Sequence, residues 1–328
     1  MALNEFSLIE KYFSSLGKAP GVTLGVGDDA AVLDIPEGEQ LVVTVDTLVA
    51  GVHFPQNALP SDIAHRCLRV NLSDIAAMGA QPRWFTLALT LPDPNEDWLR
   101  QFSQALSDDA ELFNCALVGG DTTAGPLSIT IQLFGTVPKG KALTRSGAQA
   151  GDAVYVTGSL GEAAASLSLF GIGDQVVIDH KVERETLLQR FYRPEPRLAD
   201  GLKLRDLASA ALDISDGLLA DLGHIAKASH LGAEIQLEQL PVKSWLKALA
   251  EPERITEWVL SGGDDYELCF TVPQENCAAV DALIEQGELF AVCIGQMTNE
   301  PGVRCFSFEG NDMQRNLVNI EQSGYQHF

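Results

Sequence analysis

Apolar positions along the chain alternate between two periods. Leu8, Ile9, Tyr12, Phe13 and Leu16 recur at helical spacing over 5–16. Ile63, Cys67, Val70 and Ile75 do the same over 61–78, with Ser61 as a candidate N-cap. A third helix is predicted over 96–113, where Trp98, Leu99, Phe102, Leu106 and Phe113 share a face. Between these lie strand-like runs at 41–45, 84–91, 115–118 and 127–137. Pro138-Lys139-Gly140-Lys141 breaks the pattern, so a boundary is expected there, between a domain 1–140 and a domain 141–328. The second half predicts strands at 153–157, 210–214, 266–272, 290–294 and 303–306. It predicts helices at 163–170, 218–228 and 278–284, and a helical stretch over 183–207 that Pro194 and Pro196 interrupt. Both halves mix strands with helices, and the expected class is a two-domain α/β chain of the mixed α+β kind.

A length of 328 residues agrees with about two domains. The 46% apolar and 20% charged fractions are those of an ordinary folded chain. Charge changes the picture more. With 22 Lys and Arg against 45 Asp and Glu, the net charge is −23. That argues against nucleic acid as a partner and against docking on anionic membranes. No apolar run approaches the ~18 residues of a membrane span. Met1-Ala2-Leu3-Asn4-Glu5-Phe6 lacks a basic region followed by an apolar run, so no signal peptide is expected. The six cysteines form no CxxC pair and read as free thiols of a reducing cytoplasm. The six histidines lack HxxxH or HExxH spacing, which argues against zinc. A phosphate-bearing substrate stays open, but so acidic a chain needs cations to hold one.

Candidate chemistry concentrates in aspartates beside glycines at the ends of apolar runs. They are Gly25-Val26-Gly27-Asp28-Asp29, Val45-Asp46-Thr47, Asn71-Leu72-Ser73-Asp74 and Gly119-Gly120-Asp121-Thr122-Thr123. Later come Leu212-Asp213-Ile214-Ser215-Asp216-Gly217 and Ser261-Gly262-Gly263-Asp264-Asp265. They are expected in loops after strands, where hard oxygen ligands would suit magnesium carrying substrate phosphates. Taken singly, each reads equally well as a turn or a helix cap. Asp74 stands out because it lies inside an apolar helical pattern, where a carboxylate is costly without a cation or hydrogen bonds. The chain has no GxxxxGK[ST] and no kinase HRD–DFG set. Gly25-Val26-Gly27-Asp28-Asp29-Ala30 fits GxGxxA in form only, since Pro36 and Gly38 arrive where a helix should run. His53, close after Asp46, and Arg145, a candidate phosphate clamp, complete the set.

These motifs carry a resemblance. GVGDDAAV, TVDTLVAGVHF, NLSDIAAMGA, LVGGDTT, ALTRSGAQAGD, YVTGSLG, LDISDGLLADLGHI, LSGGDDYELCFTV and GYQHF stand in family order over nearly the whole chain. The sequence resembles the thiamine-monophosphate kinases, within the superfamily that includes aminoimidazole ribonucleotide synthetase. The resemblance implies that superfamily's two-domain fold, with the N-terminal sheet completed by homodimerisation. It implies ATP-dependent phosphorylation of thiamine monophosphate to thiamine diphosphate, with several magnesium ions. Asp29, Thr44, Val45 (through its carbonyl), Asp46, Asp74, Asp121, Asp213 and Asp216 match its metal positions. Gly120, Asp121, Arg145 and Ser215 match ATP contacts, and His53, Asp264 and Gln322 match substrate contacts. Two positions depart from the pattern: Asp264 replaces a glutamate, and Gln322 replaces an aromatic residue, usually tryptophan. The alternatives are another ATP-dependent enzyme of the superfamily and a non-catalytic nucleotide- or metal-binding protein.

Overall fold

The longest alternating run of the first half builds one edge of a sheet. The computed structural model describes residues 5–17, 19–172, 178, 180–309 and 314–318. The chain divides into two compact units, Met1–Ile75 with Ala80–Lys141, and Ala76–Gly79 with Ala142–Phe328.

The first unit runs α1 (Glu5–Tyr12), β1 (Val22–Leu24), β2 (Val32–Leu33), β3 (Glu39–Val49), α2 (Pro60–Ala77), β4 (Gln81–Leu91), α3 (Glu96–Leu112), β5 (Ala116–Ala124) and β6 (Ser128–Pro138), with the end of α2 falling in the second unit. Its main sheet has the order β3-β6-β4-β5. The β3/β6 and β6/β4 pairs are antiparallel, and β4/β5 is parallel. Helix α2 buries Ile63, Ala64, Cys67, Leu68, Leu72 and Ile75, an i, i+3/i+4 stripe. Ile75 packs so close to β6 that a Cβ on Gly135 would lie 3.0 Å from its Cδ1. Helix α3 starts at a true cap: the Asn95 side chain accepts from Trp98 N–H at 3.0 Å, with Glu96 and Asp97 in the first turn. Leu99, Phe102 and Leu106 of α3 are fully buried, each contributing about 1.5–3 kcal/mol. Asp109 ties the two helices together. It accepts both Arg69 Nε and an Arg69 terminal nitrogen at 2.8 Å and lies 2.8 Å from His65 Nδ1. Burial alone would raise the Asp109 carboxyl, but the Arg69 and His65 bonds outweigh it and hold it below its usual value.

The second unit runs β7 (Ala153–Thr157), α4 (Glu162–Ser166), α5 (Lys181–Tyr192), α6 (Leu198–Leu204), β8 (Ala210–Asp213), α7 (Leu218–Ala228), β9 (Gly232–Gln236), α8 (Ser244–Lys247), α9 (Pro252–Leu260), β10 (Leu268–Val272), α10 (Gln274–Glu285), β11 (Ala291–Thr298), β12 (Gly302–Glu309) and β13 (Gln314–Val318). Its seven-stranded sheet has the order β13-β12-β9-β11-β7-β10-β8, antiparallel except for β12/β9. Alternate residues of the middle strands feed two cores. Val154, Val156, Leu212 and Cys269 join Leu218, Leu222 and Ile225 of α7 and Trp258 of α9. Tyr155, Ala211, Phe270 and Val272 join Leu204 of α6 and Val280 of α10. Helices on both faces explain why these strands are apolar throughout rather than alternating.

The mixed α/β class is as expected, and the main elements stand where the periodicity puts them. Three expectations change. The strand expected over 41–45 runs on to Val49, and the strand expected over 115–118 runs on to Ala124. Asp46 and Asp121 therefore lie within strands, not in loops after them. Backbone pairing decides this: Asp46 stands opposite Ile131, and Asp121 opposite Ala88. Helix α2 starts at Pro60, which suits a first helical turn because it has no N–H to satisfy, so Ser61 lies inside the helix rather than capping it. Strand β9 and helix α9 have no counterpart in the predicted elements.

Candidate functional site

In the first unit the aspartates gather in two places. Strand alternation puts Thr44 and Asp46 on the face of β3 that α2 covers. There Thr44 Oγ1 donates to Asp74 Oδ2 at 2.5 Å, from strand to helix. Burial pushes the Asp46 carboxyl up to about 6, and the charge of Asp74 adds to the rise. Two carboxylates held close enough to oppose each other's ionisation make a site that gains from a divalent cation. Hydroxyl and carboxylate oxygens are the donors magnesium takes. Val45, between them, points its side chain to the other face and is 56% exposed. His53 lies in the turn after β3. Its Nδ1 accepts Val49 N–H at 3.0 Å, which leaves the neutral ring's proton on Nε2. The buried Arg66 holds that turn by donating from Nε to the His53 carbonyl at 3.1 Å.

The second place is a cavity of about 390 Å³ lined by Asp28, Asp29, Gly120 and Asp121, with Ile9 and Phe13 among its apolar walls. Asp28 Oδ1 accepts Asp29 N–H at 2.8 Å, so Asp28 shapes the turn that presents Asp29. Gly120 is required by close approach: a Cβ would fall 1.9 Å from the Leu87 carbonyl oxygen. The register aligns Asp121 with Ala88, Thr130 and Thr47, one row away from Asp46.

In the second unit, Asp213 is buried at the end of β8, paired with Leu268. Ser215, Asp216 and Gly217 follow as a tight turn into α7. One oxygen of Asp221, Oδ2, accepts all three of their N–H groups, at 3.0, 3.0 and 3.1 Å. Burial raises the Asp221 carboxyl to about 7 against those three bonds, with the Asp216 charge adding to the rise. Asp216, Asp221 and His224 bring ligand atoms within 4.8 Å of one another. Asp264 hangs on the same turn: its N–H donates to the Ser215 carbonyl at 2.9 Å, and Tyr266 N–H to the Ile214 carbonyl at 2.8 Å. Asp264 and Tyr266 hold positive φ, 69° and 51°, a costly conformation for residues with side chains. Tyr266 OH then donates to Asp264 Oδ1 at 3.1 Å.

The flanking acids are anchors. Asp265 is buried and accepts Gly161 N–H at 3.1 and 2.9 Å, ahead of α4. Burial raises it to about 8. Glu267, also buried, accepts Arg190 at 2.8 Å, Arg197 at 2.6 and 2.7 Å and Thr157 Oγ1 at 2.7 Å. Desolvation alone would raise Glu267, but the two guanidinium groups outweigh it and hold it low. Arg145 is exposed, in a turn fastened on both sides of it. Ala211 N–H donates to the Thr144 carbonyl at 2.9 Å, and Thr144 Oγ1 to the Ser146 carbonyl at 2.7 Å. Gln322 lies outside the described residues.

Sequence reasoning missed Asp221, Asp265 and Glu267 as organisers. Asp221 had a signal, an acid four residues beyond Gly217 at a helix start, within reach of the turn's N–H groups. Glu267 had none, because its partners lie 70 and 77 residues away in sequence.

The chain matches two halves of one family: AIR synthase related protein, N-terminal domain, over residues 27–137, and AIR synthase related protein, C-terminal domain, over 149–307. The thiamine-monophosphate kinase of Escherichia coli K12 is 48% identical over 329 residues, which span 100% of this chain and 99% of that protein. The crystal structure of thiamine-monophosphate kinase from Stenotrophomonas maltophilia K279a superposes with a TM-score of 0.84 at 44% identity, covering 93% of this chain and 97% of that one. The structure of AaThiL complexed with AMPPCP and TMP superposes with a TM-score of 0.76 at 30% identity, covering 100% and 99%.

Proposed function

The chain belongs to the thiamine-monophosphate kinases of the AIR synthase related family, and from that membership we infer that it uses ATP to phosphorylate thiamine monophosphate, giving thiamine diphosphate and ADP. End-to-end identity with an enzyme of that name carries the conclusion.

The chemistry follows from the reactants. A phosphate oxygen of thiamine monophosphate attacks the γ-phosphorus of ATP in line, and the bond from that phosphorus to the bridging oxygen breaks. The attacking oxygen is already anionic, so no general base is needed. The difficulty is bringing two anions together inside a chain of net charge −23. Magnesium fits the donors present, since Asp46 and Asp74 carry opposed negative charge with the Thr44 hydroxyl between strand and helix. When bound, it would draw charge from the phosphate oxygens and fix their line. Several magnesium ions would be held by Asp29, Thr44, the Val45 carbonyl, Asp46, Asp74 and Asp121 of the first unit, and by Asp213 and Asp216 of the second. Gly120 and Asp121, and likewise Arg145 and Ser215, contact ATP, with the Arg145 guanidinium taking phosphate charge. His53, Asp264 and Gln322 contact thiamine monophosphate. The first domain thus carries most of the metal ligands, and the second completes the substrate site.

The active form is a homodimer that completes the sheet of the first unit. Its support is the bare face of β3, where Leu41, Val43 and Val45 are 42, 48 and 56% exposed. The compartment is the cytoplasm, in keeping with six free cysteines. Among the described residues no helix is long and apolar enough to cross a membrane. The test is ADP release measured with and without thiamine monophosphate, over a panel of phosphorylated acceptors. Release that depends on thiamine monophosphate is expected. Release driven equally by unrelated phosphates would sink the assignment.

A further inference from the structure

The turn of residues 215–217 carries two proposed ligands, Ser215 for the nucleotide and Asp216 for magnesium, yet little in it is intrinsically rigid. Gly217, at φ 118°, is a conformation few other residues adopt. A single atom holds the turn's three N–H groups. Asp221 Oδ2 takes the N–H groups of Ser215, Asp216 and Gly217 together, and the side chain is 2% exposed. Asp221 is itself fixed because its own N–H donates to the Gly217 carbonyl in the first turn of α7 at 3.0 Å. Leu218, Leu222 and Ile225 seat that helix in the core. A rigid helix therefore grips the loop from below. When the carboxyl is ionised, the three donors converging on one oxygen form charge-assisted bonds, about twice as strong as neutral ones.

The grip extends one loop further. Ser215 and Ile214 offer their carbonyls to Asp264 and Tyr266, the two residues held at positive φ. Gly263 meets the same turn closely, since a Cβ there would lie 2.3 Å from the Ser215 oxygen. If the 215–217 turn opens, the strained 264–266 segment loses what holds it.

We propose that Asp221 is a positioning residue of the phosphoryl transfer: it clamps the 215–217 turn so that Ser215 and Asp216 face a magnesium-nucleotide, and through Ser215 it sets Asp264. This rests on the assignment of Ser215 and Asp216 above. Three backbone donors occupy Asp221 Oδ2, the oxygen that faces the turn, which assigns Asp221 to holding the turn.

Two substitutions test it. Asp221→Ala removes the acceptor. Asp221→Asn keeps an oxygen able to accept the same three N–H groups but removes its charge. Asp221→Ala should weaken binding of a non-hydrolysable ATP analogue with magnesium, followed by calorimetry, about 10–100-fold, the usual effect of losing an outer-shell partner. It should raise KM for magnesium-ATP alike, and KM for thiamine monophosphate less. Asp221→Asn should fall between wild type and Asp221→Ala in both quantities, a graded rescue that a filler of core volume would not show. If Asp221→Ala does not fold, Asp221→Asn decides alone, through a raised KM for magnesium-ATP at a melting temperature near wild type. A folded variant with wild-type nucleotide affinity and KM overturns the proposal. Nucleotide binding is read without the acceptor, so a wild type that binds magnesium-ATP yet ignores thiamine monophosphate would refute the kinase assignment and leave this test intact.

Discussion

At the scale of single residues, the pair Asp46 and Asp74 decides what the first unit can bind. A carboxyl raised to about 6 by burial and a neighbouring charge is a proton competitor for any metal placed there. Magnesium needs the ionised form, so its affinity should be level above pH 7 and should fall by up to about tenfold per unit below pH 6. Titrating the wild type with magnesium at pH 5, 6 and 8 checks this, and an affinity flat across that range would remove Asp46 from the ligand set. The same shift has the opposite sign for the metal-free chain. A raised folded value favours the native state at low pH and loses that advantage as pH rises through about 6. Asp46→Asn should therefore raise the melting temperature of the metal-free protein at pH 8. It should also cut turnover by roughly 10²-fold or more, if its loss matches that of one preorganised charge-stabilising group. A variant with near-normal turnover would show that the buried acids are structural. Asp74 was conspicuous in the sequence for this reason, an acid within an apolar helical pattern. The pairing of Thr44 with it was not, because nothing local to residue 44 announces a helix thirty positions on.

Secondary-structure elements carry the lesson about legibility. Periodicity located α3 and β3 because each has one buried and one open face, which is what a period of 3.6 or 2 records, and it placed α2, β4 and β6 from apolar runs that are mostly buried or half-buried. It ended β5 too early, because Gly119-Gly120-Asp121-Thr122-Thr123 has the composition of a turn. Pairing with Leu87–Thr90 backbone carries the strand through it, and Gly120 is the residue that lets the chains approach. Strand β9 escaped notice because Gly232-Ala233-Glu234-Ile235-Gln236 is too short and too polar to stand out, and its identity comes from β11 and β12 on either side. Ties between elements are likewise invisible in a one-dimensional pattern. Asp109 on α3 meets Arg69 and His65 on α2 in a place where all three are mostly buried. Asp109→Ala would take the carboxylate away from a mostly buried guanidinium, at a cost of about 3–5 kcal/mol. Urea unfolding should show that loss, whereas kcat of the molecules that remain folded should change little. A loss below about 1 kcal/mol would mean that water replaces the carboxylate easily at this seam.

For the molecule as a whole, the open question in the fold is the uncovered face of β3. This strand is eleven residues long and lies at the end of its sheet, where unpaired backbone groups invite another strand. Natural edge strands are usually kept apart by charge, yet the open face of β3 presents Leu41, Val43 and Val45 in a row, with Phe134 of β6 paired to Val43. Aliphatic side chains in that number, left in water, forgo about 25 cal/mol for each Å² they would otherwise bury. A second copy is the covering that fits best, since an apolar row meets its own copy without like charges opposed, whereas much of the remaining surface repels at a net charge of −23. Two sheets closing on each other would also place the strands that carry Asp46 and Asp121 at the seam, so assembly and activity should be lost together. Val43→Lys puts a charge in the middle of the row at a position assigned no ligand role. Sedimentation should show a dimer for the wild type at micromolar concentration and a monomer for this variant. Its helical and sheet content should be unchanged, and its turnover should recover as protein concentration rises. A wild type that sediments as a monomer, or a Val43→Lys protein that stays dimeric, would mean that this face is covered in some other way.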